Sequence, residues 1–134
     1  MTTIEEGLVN KLINNTALKA LIGDRVYALT LAQNTVLPAI VYQRISTWRA
    51  MTLDQGAGGL SNPRFQFTIY AASYASAKAV ADALRNALLG YRGWVGKTSN
   101  VQIHGILSEG EFDSYEPEAD VYYTTVDYKV SHKE

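Results

Sequence analysis

The chain has no cysteine and only two histidines, His104 and His132. Without cysteine there are no disulfides and no thiolate metal sites, which fits a reducing cytoplasm and fits equally a particle assembled there. Two histidines, one in a strand pattern and one near the C-terminus, make no His-x-x-x-His pair and no cluster able to hold a metal, so both are read as structural or solvated. Neither sign of charge is in excess: 12 Lys and Arg face 13 Asp and Glu, for a net charge of -1. The basic surplus that holds a protein on nucleic acid or anionic lipid is therefore lacking. Long apolar runs are lacking too. The opening MTTIEEGLVNKLI has polar residues every few positions and begins its charges with acids, which predicts neither a signal peptide nor a membrane span.

Catalytic signatures are as scarce. No serine sits in a Gly-x-Ser-x-Gly elbow, and nothing in the sequence pairs His104 with a nucleophile. Gly96-Lys97-Thr98 resembles the end of a phosphate-binding loop, but the glycine required five residues earlier is Tyr91, and the stretch lies between a helix and a strand rather than between a strand and a helix. Gly56, Gly58 and Gly59 lack the spacing of a dinucleotide fingerprint. No enzyme chemistry and no cofactor is expected.

What is present organises as one domain over residues 1–134, a length that suits a single core. Thr3 and Glu6 make a capping box, and Ile4, Leu8, Val9, Leu12 and Ile13 recur at helical spacing, predicting a helix over 4–14. Thr16 is placed to cap a further short helical turn that Gly23 ends. A short strand at 25–29 and a longer one at 39–46, begun by Pro38, follow. In residues 64–71 Phe65, Phe67, Ile69 and Ala71 alternate with Arg64, Gln66, Thr68 and Tyr70, the pattern of a half-buried strand. Ser73 then caps a helix whose stripe is Ala77, Val80, Ala81, Leu84, Ala87 and Leu88, with Gly90 as its stop. A loop carrying Tyr91 and Trp94 leads to a strand at 101–107 and to a last one that puts Tyr122, Thr124, Val126, Tyr128 and Val130 on one face. The order predicts an α+β fold: an antiparallel sheet of about four main strands with two helices packed on one face.

Two segments stand apart. Residues 47–63 carry three glycines within four positions and close on Asn62-Pro63, and read as a long loop. In it Trp48, Met51, Leu53 and Leu60 are large apolar groups that want a partner, flanked by Arg49 and Asp54. Residues 108–120 read as an acidic loop: Glu109, Glu111, Asp113, Glu116, Glu118 and Asp120 put six of the thirteen acids into twelve residues without Lys or Arg. The rest of the chain is then basic. The run does not fit EF-hand spacing, and paired carboxylates alone do not make a glycosidase. It reads as a solvated or partner-facing acidic loop, with weak cation binding as the alternative.

The segments LKALIGDRVY (18–27), LPAIVYQRIS (37–46), FQFTIYAASYASAKAVADALRNALLG (65–90) and DSYEPEADVYYTTVDYKV (113–130) span nearly the whole chain. In their order and spacing the protein resembles the tail-terminator, tail-completion and head-to-tail joining proteins of long non-contractile-tailed phages and prophages. The resemblance implies a small α+β subunit without catalytic residues. Such a subunit forms a homo-oligomeric ring, commonly sixfold, at the head-proximal end of the tail tube. It also implies partners: the tail-tube protein, the head connector or stopper protein, and DNA that passes through without specific binding. The place implied is the head-tail junction of a virion assembled in the host cytoplasm, away from membranes. Near-neutral charge, segregated along the chain, suits head-to-tail contacts between copies. On this reading the assembly interface is expected at Trp48, Arg49, Met51, Leu53, Asp54, Leu60, Glu109, Glu111, Asp113, Glu116 and Glu118. A small ligand-binding or regulatory α+β domain is the alternative.

Overall fold

Local signals set the first elements. In the computed structural model, which describes residues 3–32, 34–49, 60–96 and 101–133, the Thr3 hydroxyl accepts from the Glu6 N–H and opens helix α1 (Ile4–Ile13). Helix α2 (Thr16–Ile22) is capped by Asn15, whose side chain accepts from the Leu18 N–H, so Thr16 is its first residue rather than its cap. Gly23, at φ +62°, turns the chain out of the helix, as a residue without Cβ can at little cost. Strand β1 (Val26–Ala28) follows. The Arg25 carbonyl accepts from the Ile40 N–H and its guanidinium donates to the Pro38 carbonyl, which lays β1 parallel beside β2 (Ala39–Arg49).

Strand β3 (Leu60–Ala71) returns antiparallel to β2. Helix α3 (Tyr74–Leu88), with Ser73 accepting from the Ser76 N–H, crosses over β3 and β6. Strand β4 (Gly93–Val95) then borders β5 (Val101–Glu116), and β6 (Val121–Lys133) lies between β5 and β3. The sheet order is β1-β2-β3-β6-β5-β4.

The helices share one face of this sheet with the core. Phe65, Phe67, Ile69, Val126, Tyr128, Val130, Ile103 and Ile106 pack there against Leu8, Leu12, Leu18, Ile22, Val80, Leu84 and Leu88. All six stripe residues of α3 are buried. The fit is closest at Gly7, where a Cβ would stand 2.6 Å from a Val95 methyl, so α1 can approach β4 only through a glycine. No described helix is long and apolar enough to cross a membrane.

The architecture is α+β, but four expectations change. The sheet has six described strands and is mixed, and three helices cover it, where about four main antiparallel strands and two helices were expected; β1 falls in the short strand expected at 25–29, whereas β4, three residues long, leaves no period in the sequence. The expected loop 47–63 is narrower, because β2 continues to Arg49 and β3 begins at Leu60, with Thr47 paired to Pro63 and Trp48 to Asn62. Pro63 has no N–H for the ladder, and it is tolerated one position from the register shift at Ile45, where pairing is already interrupted. The acidic stretch is strand as far as Glu116, and its turn is 117–120. Strands at a sheet edge can be charged throughout, because nothing packs on them. His132, expected in a terminal tail, is buried in β6.

Met51, Leu53, Asp54, the glycines Gly56, Gly58 and Gly59, and Lys97 and Thr98 lie outside the described residues.

Candidate functional site

β5 divides at Ile106. Above it Val101, Ile103 and Ile106 are buried in the core; from Leu107 to Glu116 every residue is exposed. Gly90, past the end of α3, donates its N–H to the Ile106 carbonyl, and beyond that tie α3 accompanies the strand as far as Lys78 and Tyr74, which reach Glu111 and Asp113. Pairing with β6 continues to Glu116, with a register shift between Ser108 and Gly110. The lower half of β5 is thus an acidic edge of the sheet, an arm carrying Glu109, Glu111, Asp113 and Glu116, with Glu118 in the turn beyond it.

The structure brings Glu111 and Asp113 together on the helix face of the sheet. The Thr124 hydroxyl donates to Asp113 at 2.8 Å, the Tyr74 hydroxyl of α3 donates to its other oxygen at 2.8 Å, and Lys78 lies 3.4 Å from Asp113 and 3.5 Å from Glu111. The Thr124 hydrogen bond, joined by Tyr74 and Lys78, holds the Asp113 carboxyl below the usual carboxylate range despite its partial burial. Tyr74 is raised by its hydrogen bond to Asp113. Desolvation pulls the Lys78 ammonium down, but the charges of Asp113 and Glu111 together outweigh it and leave it raised. This network fastens the arm to α3. At the tip, Tyr115 stacks on Tyr122 with ring centres 4.7 Å apart and donates to Asp120 at 2.7 Å, which raises its own hydroxyl.

Trp48, Arg49 and Leu60 are elsewhere. They sit at the other end of the sheet where β2 meets β3, Arg49 paired with Ser61 and Leu60 with Lys133. Strands β3 and β6 separate Trp48 and Arg49 from the acidic arm, and β6 separates Leu60 from it, so within one subunit these three do not meet the acids. Three large apolar side chains at the same edges escaped the sequence reading: Ile45 beside Trp48, and Leu107 and Phe112 among the acids, all exposed. The signal for Phe112 was there in Glu111-Phe112-Asp113, where a strand puts the ring on the face opposite its neighbours. Behind the arm, on the uncovered face, the 29–37 segment roofs a groove of about 640 Å³ whose floor is Thr68, Tyr70, Tyr123 and Thr125. Its open, mostly uncharged lining has no convergent set of acid, base and nucleophile. Among the described residues no group of three or more His, Asp or Glu is placed to hold a metal.

Comparison with solved structures finds a chain of a native gene transfer agent virion with the same fold. The TM-score is 0.77 at 18% identity, over 96% of this chain and 92% of that one. No curated protein matches. The family model described as tail completion protein gp17 matches residues 6–133. With the match running over nearly its whole length, the chain belongs to the tail completion protein gp17 family and is a structural protein of a phage tail.

Proposed function

We propose that the chain is the subunit of a ring, sixfold as its relatives' resemblance implies, that closes the head-proximal end of a tail tube. The ring joins the tube to the head connector and lets DNA through without binding it specifically. The observation that carries this reading is the separation of two unlike surfaces. An acidic arm lies at one edge of the sheet, and Trp48 and Arg49 lie on β2 toward the opposite edge, with Leu60 next to them on β3. Two unlike surfaces far apart on one molecule suit heterologous contacts, which close into a ring when the rotation allows. The family and the virion likeness support a place in the particle. Acid on the arm would also keep a DNA backbone from adhering if the arm lines the channel.

Native mass spectrometry and negative-stain microscopy of the concentrated protein test the ring. Closed oligomers of one stoichiometry are expected, and a monomer at every concentration rejects it. The groove beneath 29–37 favours the second reading, a small ligand-binding domain; a monomer whose melting temperature rises with a small molecule, and falls back on Tyr123→Ala, would establish that reading instead.

A further inference from the structure

Both edges of the sheet are stepped. β1 covers β2 only at residues 40–42, and β4 covers β5 only at residues 101–103. Across the sheet Ile40 is level with Ile69, Thr124 and Asp113, and Arg49 is level with Ser61, His132 and Ile103. The two short strands therefore cap opposite ends of opposite edges. Among the described residues, 43–49 of β2 have no strand on one side and 107–116 of β5 none on the other, each a row of backbone N–H and C=O groups able to take a further strand.

The side chains on these open stretches differ in kind and match in place. Residues 43–49 hold Arg44, which pairs with Glu5 of α1, and Arg49, and no acid; residues 111–116 hold Glu111 and Asp113, which share the single charge of Lys78, and Glu116, and no base, so the first stretch carries net positive and the second net negative charge. Trp48, 64% exposed, is level with Asn62 and Ser131 on the uncovered face, and Phe112, 56% exposed, is level with Thr68 and Thr125 on that same face. Arg49 and Glu111 are on the helix face, level with Ile103 and with Phe67 respectively. Two acidic edges repel each other, and so do two basic ones, whereas an acidic edge accepts a basic one.

We propose that β2 of one copy adds to β5 of the next, antiparallel, so that the sheet runs on from subunit to subunit; the proposal rests on the ring reading above. The strand directions already require the antiparallel sense, since β2, β3, β6 and β5 alternate. β1 of the incoming copy would collide with β5 unless it passes below Glu116. Sliding the copy by about six residues clears it and lays 43–49 along 111–116. In that register Trp48 faces Phe112, Arg49 faces Glu111 and Thr47 faces Asp113. The slide is about 20 Å along the strands for each copy, against about 19 Å of width for its four long strands. The strands then tilt by about 45°, at the upper end of the range for closed sheets, whatever the number of copies. Directly opposed residues place Cβ atoms about 4.5–5.5 Å apart, within reach of ring stacking and ion pairing.

The absence of native cysteine makes the register testable. Trp48→Cys and Phe112→Cys in one chain should, on mild oxidation, give a ladder of head-to-tail covalent oligomers, and an equal mixture of the two single variants should stop at one heterodimer. Arg49→Glu should weaken self-association by about tenfold or more, and adding Glu111→Arg should restore it. If the parent forms rings and the double-cysteine chain forms no ladder, the seam is wrong and the ring survives. A single variant that cross-links to itself shows twofold pairing of like edges and overturns the proposal. A parent that never assembles overturns both.

Discussion

β3 and β5 are both long strands of one sheet, yet they bury different amounts of themselves. From Ser61 to Ala71 every second residue of β3 is buried, without a break. β5 buries Val101 and Ile103, then Ile106 across the register shift at His104, and then shows ten exposed residues in succession. β3 has a full-length neighbour on each side and α3 above it; the lower half of β5 has β6 on one side and an open edge on the other. The backbone pairing is alike and the burial is not. What holds the fold is thus concentrated in β3, β6 and the helices, while the β5 arm contributes little core and is available to a partner.

The sharpest way to break this contrast is to truncate one aromatic from each region. Phe67 is almost wholly buried between Phe65 and Tyr128, with ring centres 6.4 and 6.1 Å away. Phe67→Ala should cost about 3–5 kcal/mol, through lost transfer energy and the cavity left behind. Phe112→Ala, on the arm, should stay within about 0.5 kcal/mol of the parent in denaturant unfolding of the monomer, while weakening assembly. Equal losses of stability from the two would mean that the arm is part of the folding core.

A second, smaller effect probes how far the core's tight packing extends. Gly7→Ala would gain helix propensity of about 1 kcal/mol, but its methyl would meet the Val95 side chain at 2.6 Å. The clash should win, with a net loss of about 1–3 kcal/mol that Val95→Ala in the same chain partly relieves. A Gly7→Ala protein more stable than the parent would show that α1 and β4 are loosely packed, like the arm.

The same contrast explains what could be read from the sequence. Burial writes a period into a chain. The stripe Ala77 to Leu88, the alternation of Phe65, Phe67, Ile69 and Ala71, and that of Val126, Tyr128 and Val130 were legible because each faces a core. The lower half of β5 faces none, so its acids showed charge without period and looked like a loop. Asn62-Pro63 looked like a breaker, because nothing local announces that the register shift at Ile45 accommodates a proline. The residue types of the candidate interface, acids in one stretch and Trp48 with Arg49 in another, were visible. Their separation by two strands was not, since strand order depends on pairings between residues far apart in sequence.

The smallest expected effect concerns a polar fastening between the arm and α3. Asp113 accepts from Thr124 and Tyr74 and lies near Lys78, and these contacts hold its carboxyl below the usual range. A carboxyl depressed in the folded state contributes stability that is fully present above its unfolded value, about 3.9, and that is lost as pH falls through the lower folded value. The arm should therefore be firmly attached at neutral pH and loosen only in acid. Asp113→Asn keeps the shape and removes the charge, so it should lower amide protection in the arm at pH 7 and change nothing in the amides of β3. The difference from the parent should begin to shrink as pH falls below about 4, the unfolded value, and vanish only once pH has passed the lower value at which the folded parent's carboxyl takes up its proton. Hydrogen exchange followed residue by residue from pH 7 to pH 3 measures both quantities. A difference between variant and parent that stays constant over that range would mean that the charge of Asp113 does not hold the arm, leaving the Lys78–Glu111 pair, the Tyr115–Tyr122 ring contact and the β5–β6 ladder to do so.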